Sequence, residues 1–228
     1  MATVLDIEEI DLATTSRREL NARLHEAKGG RWRVLNPGGA HAIAVGLDGE
    51  LEVDIEGHVG YYCAGMNQHA TVRVHGNAGV GVAENLMSGT VVVDGHASQS
   101  AGATGRGGLL VVRGDASARA GISMKGIDIV VRGSIGHKGA FMAQKGALLV
   151  CGDAGDALGD SIYDARLYVR GSVGSLGADC VEKEVRDEHR AEIAALLDKA
   201  GIHDVDAAEF RRYGSARRLY HFHVDNAY

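Results

Sequence analysis

The chain of 228 residues carries one proline, one tryptophan, three phenylalanines and three cysteines. Cys63, Cys151 and Cys180 are odd in number, far apart and outside any C-x-x-C pair. Neither a disulfide framework nor a closed zinc or iron–sulfur site is indicated, and buried free thiols are expected. Positive charge is also short: the net charge of −6 gives no field that would hold a phosphate backbone, so nucleic acid is not an expected partner. No stretch approaches the roughly 20 apolar residues of a membrane span, and Met1 to Leu12 carry four acidic residues and no apolar run. A cytoplasmic protein with no membrane partner is therefore expected.

The motifs of the common catalysts are missing as well, including the G-x-S-x-G elbow and H-E-x-x-H. His41, His58, His69, His75 and His137 stand without an orienting partner in sequence, which favours structural roles over acid–base catalysis. His221 and His223, two apart, would share one face of a strand, but no third metal ligand lies near them. No catalytic, cofactor-binding or metal residue is assigned.

Glycine is what the chain has in excess. The 33 glycines are about twice the usual share of about 7%, and seven of them, Gly57, Gly76, Gly95, Gly114, Gly133, Gly152 and Gly171, fall at a constant step of 19. Two and four residues before each, the chain is always aliphatic, from Val53 and Ile55 to Leu167 and Val169. That alternation is a short strand with one buried face. Three residues after each glycine stands Gly or Ser, and seven after it Gly or Ala, as in Gly60 and Ala64 or Ser98 and Gly102. Small residues at fixed offsets suit corners that need positive φ, or places where stacked turns leave no room for a Cβ. Between them, Val59, Ala78, Ala97, Ala116, Ile135, Ala154 and Val173 are expected to point inward.

A repeat this short cannot close its own core, so the copies must stack. The predicted fold is an all-β solenoid, a single-stranded β-helix of seven 19-residue turns with flanking α-helices. Hexapeptide acyltransferase coils have 18-residue turns, and a 19-residue turn cannot keep that phase. Three segments follow: 1–30 with a short helix, 31–181 as the β-helix, and 182–228 with helices and an extended arm. Gly38 keeps the 19-residue phase and suggests a modified first turn at Asn36 and Pro37. Ser16 with Glu19 reads as a capping box ahead of Leu20 and Leu24. Val185, His189, Ile193, Leu196, Leu197 and Ala200 form an amphipathic stripe ending at Gly201, and Asp206 to Tyr213 reads as a weaker helix. Leu219 to Val224 reads as the arm.

One column stands out. Three residues before the repeat glycines, Asp54 and Arg73 are polar, but Val92, Val111, Val130, Leu149 and Tyr168 form an outward apolar ladder. Either the chain's own helix covers it or it is an interface with a partner.

The sevenfold G-x-x-[GS]-x-x-x-[GA] resembles the C-terminal GXGXG domain of the glutamate synthase large subunit, over about residues 31 to 181. Asn36-Pro37-Gly38-Gly39, Ala42 to Leu47 and Tyr213-Gly214-Ser215-Ala216-Arg217-Arg218-Leu219-Tyr220 are similar to the small subunit of N-methylglutamate synthase, also called methylamine–glutamate N-methyltransferase. The resemblance implies a right-handed coil and a non-catalytic scaffold. It would hold a class II glutamine-amidotransferase-like subunit against a glutamate-synthase-like flavoprotein that carries FMN and an iron–sulfur cluster, in a hetero-oligomer. The reaction would convert methylamine and L-glutamate to N-methyl-L-glutamate and ammonia. A similar solenoid occurs as a subunit of formylmethanofuran dehydrogenase and of the formyltransferase/hydrolase complex, which is the alternative. A stand-alone structural solenoid is the reading from another class.

Overall fold

In the computed structural model, residues 7–218 are described. The expected arm at Leu219 to Val224 and the His221/His223 pair lie outside them. One sheet of 11 strands contains every strand of this region. β1 (Ile7–Asp11) is followed by α1 (Arg17–Glu26), then by β2 (Gly29–Leu35), β3 (Glu50–Ile55), β4 (Thr71–Val74), β5 (Thr90–Val93), β6 (Leu109–Val112), β7 (Lys125–Val131), β8 (Lys145–Val150) and β9 (Arg166–Val169). Each strand from β1 to β8 pairs in parallel with the next in sequence. This is the β-solenoid, and the 19-residue step is its register: Val53 pairs with Val72, Val72 with Val91, Val91 with Leu110.

The two aliphatic columns line the core, with Val53, Ile55, Val72, Val74, Leu148 and Val150 at most 1% exposed. The inward small residues form a second line of bridges, running Val59, Ala78, Ala97, Ala116, Ile135, Ala154, Val173 from turn to turn.

The repeat glycines are required mostly by close approach. Only Gly57 among them has positive φ, at 136°. At Gly76, Gly95, Gly114, Gly133, Gly152 and Gly171 a Cβ would lie 2.5–2.8 Å from the carbonyl oxygen of the glycine one turn earlier. Positive φ is concentrated elsewhere, five, seven and nine residues after the glycine. Tyr62, Ala64 and Met66 begin those columns, and Lys138, Ala140 and Met142 repeat them four turns on, all with φ between 53° and 60°. A left-handed non-glycine residue costs about 1–2 kcal/mol. What offsets it is hydrogen bonding in both directions: Tyr62 N–H donates to Val80 of the next turn, Ala64 N–H to Ile43 of the previous one, and Met66 N–H to Glu84 of the next. The same alternation recurs at Lys138, Ala140 and Met142.

Both flanks belong to the coil. β1 adds a strand before the expected start, and β2 pairs Val34 with Ile55, a step of 21 rather than 19. The two extra residues are taken up at Asn36-Pro37, where Asn36 has φ 51°, and the 19-residue step resumes after them, with Gly60 N–H donating to Ala40 as Gly79 N–H donates to Val59. α1 starts as expected, with Ser16 Oγ accepting from Glu19 N–H, and buries Leu20 and Leu24. It also closes the first turn: Asn21 donates to the Ala42 carbonyl and accepts from Ala44 N–H, and Arg17 reaches the His41 carbonyl.

At the other end the chain forms β10 (Cys180–Lys183), α2 (Asp187–Lys199) and β11 (Arg211–Ser215). β11 inserts antiparallel between β9 and β10. The expected weak helix over Asp206 to Tyr213 is corrected here: one 3-10 turn at Ala207–Glu209 leads straight into β11, because Phe210 and Tyr213 are drawn into separate buried clusters. α2 ends as its sequence predicts. Gly201 has φ 66°, Ile202 N–H donates to Leu197 and Gly201 N–H to Asp198, with Leu197 and Ile202 both buried.

Candidate functional site

The outward apolar ladder is covered by the chain itself. Val111, Val130, Leu149 and Tyr168 are at most 1% exposed, and Val92 is partly buried at the margin. They pack with Ile193, Leu196, Leu197 and Ala200 of α2 and with Ile202 and Phe210 that follow it. The interface reading of Val92, Val111, Val130, Leu149 and Tyr168 is thereby corrected: the stripe on α2 is what fills that face. Charged clasps hold it. Glu192 accepts from Arg166 at 2.6–3.0 Å and from the Tyr168 hydroxyl. Burial alone would raise the Glu192 pKa, but these two partners outweigh it and hold the carboxyl below its ordinary value. Arg132 forks onto Asp204 with both contacts at 2.8 Å, and Arg170 bonds Glu209.

The histidines fall into the roles their backbone neighbours dictate. A column one residue after each repeat glycine forms an acceptor ladder. His58 Nδ1 takes the Asn77 N–H, Asn77 Oδ1 the His96 N–H, and His96 Nδ1 the Asp115 N–H. Asp115, Ser134 and Asp153 continue it to Ser172. Because a backbone amide only donates, Nδ1 of both imidazoles is the unprotonated nitrogen. His41 Nδ1 accepts the Tyr61 N–H in the same way. His75 lies between two carboxylates, with Nδ1 2.9 Å from Asp94 and Nε2 2.9 Å from Asp54, while Arg73 forks onto the same Asp94. That is a surface charge cluster on the sheet's outer face, ahead of the stretch α2 covers.

All three cysteines are buried and free. Burial pushes the Cys63 thiol up to about 12 and those of Cys151 and Cys180 up to about 11. Thiols held protonated in separate turns do not fit an iron–sulfur cluster, which is ligated by thiolates. The native protein should accordingly react with a disulfide reagent such as DTNB far more slowly than a free thiol does, and titrate three thiols promptly only in denaturant. A fast-reacting native thiol would contradict this burial.

With the α2-covered stretch of the sheet face occupied, exposed apolar side chains stand on and beside the left-handed columns, Tyr62 and Met66 among them. Tyr61 and Tyr62 are each 49% exposed, Met66 54% and Met87 41%. His41 stacks on Tyr61 with centroids 4.5 Å apart, and Tyr61 meets Tyr62 edge-on at 6.4 Å. Beside them Val45, Tyr62, Gly65, Met66, Glu84 and Asn85 line a small cavity of about 110 Å³. Rigid aromatic rings and adaptable methionines held on a hydrogen-bonded frame are the residues that protein interfaces favour. In the sequence the only signal of this cluster is two tyrosines at the corner of one repeat where the other copies have none.

No helix of the described residues is long and apolar enough to cross a membrane, and no group of three or more His, Cys, Asp or Glu among them is placed to hold a metal ion. The geometry defines a β-solenoid protein whose own helix α2 covers part of its sheet face. No model of a known protein family matches the chain. Protein GlxC of Rhizobium meliloti (strain 1021) is 64% identical to it over 222 residues, which span 96% of this chain and 97% of that protein. The chain belongs to the GlxC family.

Proposed function

We propose that this chain is the non-catalytic scaffold of a multisubunit glutamate-synthase-like enzyme, N-methylglutamate synthase in the first place. In this reading it joins an amidotransferase-like subunit to a flavoprotein subunit, and FMN and the iron–sulfur cluster belong to the latter. The reading draws its enzyme from the repeat motif. The observation that carries the scaffold role is the Tyr61, Tyr62 and Met66 cluster, exposed on a frame hydrogen-bonded to both neighbouring turns. A rod stitched in this way holds two partners at a fixed separation, which protects the transfer of a diffusible intermediate between their sites.

Co-expression with the two partner chains tests it. Tyr62→Asp with Met66→Asp should reduce co-purification of a partner at least about tenfold, since charges at an interface core are strongly disfavoured. Aspartate tolerates the left-handed backbone there, so the melting temperature of the isolated chain should move by no more than about 2 °C. Undiminished complex formation, or full N-methylglutamate synthesis by the two partners without this chain, would overturn the proposal.

A further inference from the structure

We propose that the cleft where β10 and β11 meet the start of α2 is a binding site for a small oxyanion, a carboxylate or phosphate, held by Lys183 and Arg212. The two side chains belong to residues directly opposite each other across the antiparallel β10–β11 pair. Like charges in that position are destabilising. Two adjoining cavities, of about 400 and 280 Å³, are both lined by Lys183 and Arg212, the first extending to Arg186 and His189 and the second to Arg166 and Arg217.

The guanidinium is underused. Among the described residues, Arg212 Nε is buried with no hydrogen-bond partner, and Nη1 reaches only the Glu184 carbonyl at 3.4 Å. A buried charged donor without an acceptor is costly, and an oxyanion is the acceptor a guanidinium fork fits best. The carboxylates close by are engaged elsewhere: Glu192 with Arg166 and Tyr168, Asp164 with Arg217, Glu184 with Arg186, and Asp179 with Ser215 Oγ and the Arg218 N–H. Glu184, Glu188 and Asp164 line the walls of these cavities, which favours a ligand small enough to set its charge on Lys183 and Arg212 rather than beside them.

The electrostatics agree with the geometry. Burial lowers the Lys183 pKa, and Arg212 and Arg217 lower it further, with Asp179 opposing. Burial also lowers that of His189, with Arg212 again adding to the effect. Its Nδ1 accepts the Arg186 N–H, so a neutral ring presents Nε2–H as a further donor. A bound anion would offset the positive field that Arg212 sets on Lys183 and His189.

The inference does not depend on the scaffold reading, because the isolated full chain is the sample. Melting temperatures are followed while inorganic phosphate or succinate is titrated in, against chloride at equal ionic strength, for the native sequence, Arg212→Gln and Lys183→Gln. One of the two anions should raise the melting temperature with a saturable dependence, and which one does so identifies the ligand chemistry. Each substitution should weaken that dependence by about tenfold or more. Without added anion, Lys183→Gln should melt no lower than the native protein, since it removes a like-charge contact; it carries the test if Arg212→Gln fails to fold. If neither anion acts beyond chloride, or if the variant responds as the native chain does, the site is disproved.

Discussion

Gly133→Val is expected to yield no stably folded protein. A Cβ on Gly133 would come within 2.8 Å of the Gly114 oxygen and 2.9 Å of its carbonyl carbon, and those atoms are backbone. They cannot turn aside as a side chain would. The turn could only move away, yet Gly133 N–H donates to that same oxygen at 3.0 Å, and strands β6 and β7 are in register immediately before it. Separating the turns would unpair several hydrogen bonds and open the core, a loss above about 4 kcal/mol, comparable with the whole stability of a domain at about 5–15 kcal/mol. Gly39→Ala is the contrast. Its φ is +74° with nothing within 4 Å of the added Cβ, so only the backbone preference is lost, about 1–2 kcal/mol. Chemical denaturation of the two variants separates crowding from conformational freedom; equal losses would show that the glycine column is not set by stacking.

Val130→Asp should detach α2 before it harms the coil. Val130 is 0% exposed in the cluster that α2 and the segment after it complete. A carboxylate there would be set among the apolar side chains of that cluster, and an uncompensated buried charge costs about 3–5 kcal/mol. The coil core is a separate cluster, formed by Val53, Val72, Val91 and their counterparts. Hydrogen exchange should therefore quicken throughout Asp187–Lys199 while the amides of β3 to β5 keep their protection. A variant in which the coil amides exchange as fast as those of α2 would mean that helix and coil unfold as one unit.

The coil was legible because its rule is local and repeated: a glycine every 19 residues, with two aliphatic residues ahead of it, specifies register, buried face and stacking together. The α2 stripe and its Gly201 stop were legible for the same reason, as the 3.6-residue period and the C-terminal glycine both act within the helix. Less legible was where α2 would lie. The ladder at Val111, Val130 and Leu149 and the stripe at Ile193, Leu196 and Leu197 are each plain in sequence, but only the chain's path joins them. β11 was misread because Arg211–Ser215 has little strand character of its own and becomes a strand by completing the edge of β9. The 21-residue first step was hidden because Gly38 follows the two extra residues at Asn36-Pro37 and so still stands 19 before Gly57. For the Lys183 and Arg212 cleft the signal is absent altogether, since 29 residues separate two charges that pairing sets side by side.

The acceptor ladder from His58 to Ser172 asks of each rung only a lone pair, and imidazole, amide, carboxylate and hydroxyl all supply one. Each rung takes its proton from the turn that follows and gives its amide to the turn before, so every internal turn presents the same two surfaces, a donor on one side and an acceptor on the other. Such a turn is interchangeable. A whole repeat can be duplicated or excised and the junction it leaves is chemically the one that stood there before, whereas a change of one or two residues leaves every later rung facing the wrong partner. The distance between the two capped ends is thus counted in whole steps of about 4.8 Å, and a lineage can adjust the reach of the rod by whole turns while its cross-section stays the same.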